Sequence, residues 1–125
     1  MASDPATRPP EAQPPAPVAG KPTPSIHEAE LESGASGRVL RGATIDFDAA
    51  VARRRAGQNV AVCGAHVNAN RREAYAVEAT VGPCKRGEPH DLAGPFALPH
   101  YQPDPRPPEG HTFYETARRK ARKER

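Results

Sequence analysis

Two histidines, His100 and His111, bracket a proline-rich loop in 95-PFALPHYQPDPRPPEGHTFYE-115, and a basic block, 118-RRKARKER-125, follows. Imidazole is the one side chain that both gives and takes a proton near neutral pH. Cleaving RNA through its 2′-hydroxyl needs one base, one acid and cations for the charge that builds on the phosphate. His100 and His111 could serve as that base and acid, with no assignment between them, and Tyr114 could orient the phosphate, as could Tyr101. Lys85, Arg86 and Arg106, with Arg118, Arg119 and Lys120 of the basic block, are the candidate phosphate ligands. Such chemistry requires no metal and no cofactor. The competing reading is structural: histidines that end strands and a solvated tail, in a non-catalytic nucleic-acid-binding or adaptor protein.

These residues must be held by a small scaffold. Residues 44–57 predict a helix, with Thr44 as its cap, Asp46 and Asp48 in the first turn, Arg53, Arg54 and Arg55 in the last, and Gly57 as its stop. The β-branched run 59–63 predicts a buried strand. Asn70 and Glu73 resemble a capping box opening a helix over 70–81, which Gly82 and Pro83 close. Residues 83–95 read as loop, and two short strands are predicted at about 96–101 and 111–115. Alternation puts Phe96, Leu98 and His100 on one face of the first strand. It puts His111 and Phe113 on one face of the second, with Thr112 and Tyr114 opposite, so that both histidines point the same way if the register of the two strands cooperates. The order predicts an α+β domain in which two short helices pack on a small antiparallel sheet.

Eight of the 16 prolines lie in residues 1–24. Residues 1–37 are therefore expected to be a disordered Pro/Ala-rich leader, dispensable for folding. Residues 38–117 are the expected compact domain and 118–125 its basic tail. The net charge is +3, but residues 1–37 hold two cations against five anions, which leaves +6 on residues 38–125. A unit that basic suits RNA or DNA as partner.

Two cysteines, Cys63 and Cys84, form no spacing that demands a disulfide. With His66 and His90 they offer zinc-type ligands, but the tight Cys pair of a structural site is missing. The favoured reading is a buried strand thiol at 63 and a free loop thiol at 84. No signal-type apolar region follows the N-terminus, and no apolar run reaches membrane-spanning length. The expectation is no membrane partner, and a cytoplasmic chain or one exported without an N-terminal signal peptide.

Gly94, Pro95, Ala97, Leu98, Pro99, His100, Gly110, His111, Phe113, Tyr114 and Glu115, ahead of a Lys/Arg cluster, give residues 59–120 a family look. This stretch resembles the C-terminal toxin domains of bacterial polymorphic toxins, specifically small RNase-type domains of the barnase, EndoU, colicin and RelE class. The resemblance implies nuclease activity, an immunity protein as partner and delivery as cargo.

Overall fold

The run Val60–Cys63, buried at all four positions, is the middle of the sheet. Around it the computed structural model describes residues 23–32, 37–87, 97–117 and 119–123. The chain is an α+β fold. In order its elements are β1 (Ser25–Leu31), β2 (Val39–Ile45), α1 (Phe47–Arg55), β3 (Val60–Cys63), α2 (Val67–Val81), β4 (Cys84–Gly87), β5 (His100–Pro103), β6 (Thr112–Tyr114) and β7 (Arg122–Lys123). The strands form one sheet in the order β4-β5-β6-β3-β1-β2-β7.

The sheet is mixed, not antiparallel as predicted. β6 runs parallel to β3, and β7 parallel to β2. Parallel neighbours need a long crossover, and α2 with the β4–β5 ribbon supplies it between β3 and β6.

Each face of the sheet has its own core. On the helix side Val60, Val62, Ile26, Tyr101 and Tyr114 pack with Ala50 and Val51 of α1 and Ala74 and Val77 of α2. On the other side Ala29, Val39, Ala61, Cys63 and Phe113 are covered by Leu98 and Ala121. Strand alternation assigns the two sets.

Both helices start away from the predicted residue. Thr44 belongs to β2, and Asp46 caps α1, its Oδ1 accepting from the Ala49 amide at 2.8 Å. Asp46 won because the ladder with β1 reaches Ile45, which pairs with Ile26. α2 begins at Val67, so Asn70 lies inside it, fully buried. Its amide nitrogen donates to the carbonyls of Gly64 and Glu115, each at 3.0 Å, and ties α2 to the end of β6 instead of capping a helix.

The boundary at residue 37 is the largest correction. Ser25–Leu31 is an inner strand, hydrogen-bonded to β3 on one side and β2 on the other. Residues 1–22 and 33–36 of the expected leader lie outside the described residues. Two smaller corrections follow from pairing. Cys84–Gly87, expected as loop, is the edge strand β4 against β5. Arg122–Lys123, expected as tail, pairs with Leu40 and Arg41. The predicted strand at 96–101 is shifted: β5 starts only at His100.

Candidate active site

The loop from β5 to β6 returns the chain so that His100 pairs with Phe113 across the two strands. His111 precedes β6, and its backbone is held on both sides. Its amide donates to Asn59 Oδ1 at 2.8 Å, and its carbonyl accepts from the Val60 amide at 3.1 Å. The two imidazoles meet with ring centroids 4.3 Å apart and planes 69° apart. Phe113 completes a cluster of three rings, 5.7 Å from His100 and 5.3 Å from His111. The expectation that both histidines share a face is met in the structure.

Glycines on two elements allow this approach. A Cβ at Gly87, the β4 partner of His100, would lie 2.5 Å from His100 Nε2, so the ring sits directly over bare backbone. Gly110 has φ +90°, a left-handed conformation that L side chains rarely adopt. A Cβ there would lie 2.7 Å from Arg54 Nη1.

That contact reveals a residue the sequence did not single out. Arg54 has 0% exposure. Its Nε donates to Glu78 Oε1 at 2.9 Å, and its Nη1 donates to the carbonyls of Gln58 and Glu109 at 2.9 and 2.8 Å. One guanidinium thus joins the end of α1, the buried face of α2 and the residue two before His111. Burial pushes the Glu78 carboxyl up, and the Arg54 charge beside it pulls the other way. Arg54 was hidden in a run of three arginines that otherwise reads as a solvated last turn. A weak signal existed: residues 50, 51 and 54 fall at helical spacing on the buried side of α1.

The protonation geometry is specific. Arg106 Nη2 lies 3.1 Å from His111 Nε2. A guanidinium only donates, so Nε2 accepts and the ring proton sits on Nδ1. His111 is held far below the usual imidazole range, at about 3, by burial first and then by the charges of His100, Arg106 and Arg54. His100 differs. Its Nε2 lies 3.0 Å from Gln102 Oε1, an acceptor, so that nitrogen carries hydrogen.

The other expected ligands divide between the faces. Lys85 pairs with Gln102, two residues from His100, which puts the exposed Lys85 on the histidine side. Arg86 pairs with Tyr101 and points into the helix layer, where its Nη1 donates to the Tyr114 hydroxyl at 3.5 Å. Tyr114 is therefore on the opposite face from the imidazoles, packed against Tyr101 with ring centroids 6.0 Å apart. Tyr101 has its own partner, Arg71, whose Nε donates to the hydroxyl at 3.1 Å. Arg119 turns inward, Nη1 donating to the Ala97 carbonyl at 2.6 Å, and holds the segment that leads into His100. Lys120 is exposed, and Arg118 lies outside the described residues.

Of the zinc-type residues, Cys63, His66 and Cys84 lie on or beside three different elements. Cys63 is buried in β3, its thiol pushed up to about 12 by burial and by the nearby Glu115 charge. Cys84 is in β4, His66 stands at the start of α2, and His90 lies outside the described residues. Among the described residues, no three His, Cys, Asp or Glu side chains come together to hold a metal.

Gly87→Ala tests the packing of the pair. The added methyl should rotate the His100 ring off its site at a cost of about 1 kcal/mol, typical of a side chain forced from its rotamer. The imidazole NMR resonances of both histidines should move. Unchanged resonances would mean that β4 shifts instead and that Gly87 does not set the ring.

No protein-family model matches this chain, and no curated protein or solved structure does.

Proposed function

We propose that this chain is a small basic nuclease of the toxin or effector kind, cutting RNA by metal-independent transphosphorylation at His100 and His111. The observation that carries this reading is the ring contact at 4.3 Å, built from two strands and flanked by Arg106 at 3.1 Å. Paired titratable groups whose environments differ are the mark of acid–base division. The geometry supports one assignment. His111, held neutral, is the base that removes the 2′-hydroxyl proton. The 2′-oxygen then bonds to phosphorus while the bond from phosphorus to the 5′-oxygen breaks. His100, as imidazolium, gives its proton to that leaving oxygen. Arg106 and Lys85 stand on the same side to neutralise the phosphate. Tyr114 has no part in this scheme, since the sheet separates it from the rings. RNA is the proposed substrate, and an immunity protein the partner that the toxin resemblance implies.

A second reading has its own observation. Arg106 occupies the His111 lone pair, as a purely structural histidine would allow. The protein would then bind nucleic acid without cutting it.

One assay decides. The full chain is incubated with total RNA and with plasmid, with and without EDTA. RNA should be cut in both conditions, leaving 2′,3′-cyclic phosphate ends. Binding without cleavage would overturn the nuclease in favour of the binding protein.

A further inference from the structure

We propose that Arg106 is an anion-operated latch on His111: at rest it covers the imidazole lone pair, and a phosphodiester draws it away and uncovers the base. The purpose of the latch rests on the nuclease reading above, but its test does not.

A base must offer its lone pair, and at rest His111 Nε2 spends that pair on the Arg106 guanidinium at 3.1 Å. His111 Nδ1 carries the ring proton and is buried, so the ring has no second acceptor to offer. The resting site is thus a masked one.

The groups facing His111 differ in how firmly they are held. Arg54, from α1, is buried and bonded to Glu78 of α2 and to two carbonyls. His100, from β5, is fixed over Gly87 and bonded to Gln102. Arg106 alone comes from the exposed loop, and its second partner is Glu109, at 2.8 Å and with a side chain 73% exposed. Exposed ion pairs hold weakly. Burial does most to keep His111 neutral, and of the three groups whose charge adds to it only Arg106 comes from an exposed element.

A phosphate is the ligand that would make it leave. Guanidinium and phosphate form paired, charge-assisted hydrogen bonds, stronger than one bond to a neutral imidazole. When Arg106 turns to the phosphate, the bond on Nε2 breaks. One positive charge beside the ring is then matched by the anion, and the proton affinity of His111 rises. The base becomes competent only where substrate is present.

The test follows the His111 imidazole of the full chain by NMR across pH, with inorganic phosphate and with a 2′-deoxy oligonucleotide, which offers a phosphodiester but no 2′-hydroxyl. In the wild type the His111 pKa should rise by about one unit or more on saturation, roughly tenfold in proton affinity. In Arg106→Ala it should already be raised and should not respond. In Glu109→Gln, which loosens the resting hold on Arg106, half-saturation should come at several-fold lower phosphate, on the order of the small free energy of an exposed pair. The Glu109 variant leaves every residue of the ring cluster in place, so it reports even if Arg106→Ala folds poorly. A wild-type His111 that ignores both anions, or an equal response in Arg106→Ala, overturns the latch. A His111 that switches in a protein that cuts no RNA sinks the nuclease and leaves the latch standing.

Discussion

A chain that begins at Gly37 should fail to fold. It lacks β1, which pairs with β2 through five residue positions and with β3 through four, and which buries Ile26, His27 and Ala29. Burying one side chain the size of isoleucine contributes about 1.5–3 kcal/mol, and the whole stability of a small domain is about 5–15 kcal/mol. Removing Ile26, Ala29 and two hydrogen-bond ladders, at about 0.5–1.5 kcal/mol net per bond, is comparable to that whole margin. The expected result is loss of the cooperative thermal transition and collapse of amide dispersion in NMR. A truncated chain that keeps the transition temperature of the full chain would show that β1 is not integral to the sheet.

His100→Ala and His111→Ala should each lower RNA cleavage by roughly 10²–10⁴, the usual share of a positioned acid or base. The double variant should lose little beyond the worse single one, because the two groups act as one unit. Circular dichroism and thermal melts of each variant separate lost chemistry from lost fold. Full activity in both single variants would remove the ring pair from the mechanism. Tyr114→Phe is a useful companion. It keeps the ring packed against Tyr101 and removes only the hydroxyl that faces Arg86, so cleavage should stay near the wild-type rate. A large loss there would mean that the helix side of the sheet takes part.

The sequence disclosed what is local and hid what is paired at a distance. Val60–Cys63 was legible as a buried strand because a short β-branched run has few other uses. The alternation of residues 96–100 and 111–114 put both imidazoles on one side only if the register cooperated, and the His100–Phe113 pair supplies that register. Ser25–Leu31 was invisible. It follows a proline-rich stretch, mixes charged with apolar residues, and gains its place only from neighbours on both sides. β4 was missed for the same reason: Cys84–Gly87 contains no strand signal, and its edge position allows one. Within the site, the histidines could be found by type. Gly87 and Arg54 could not, since their roles are to be absent under a ring and buried beneath a loop.

The place of β6 in the sheet has a consequence for synthesis. This strand lies between β5 and β3, and among the described residues no other strand bridges those two. A nascent chain that has emerged from the ribosome only as far as Gly110 carries β4–β5 as one ribbon and β3-β1-β2 as another, linked through α2 but with no described strand between them. His111 arrives in the same few residues that close the gap. The sheet is thus joined and the ring pair completed in one step of synthesis. On the proposed nuclease reading, the ribosome making the protein is the nearest target, and until that step the emerging chain presents only one of the two rings.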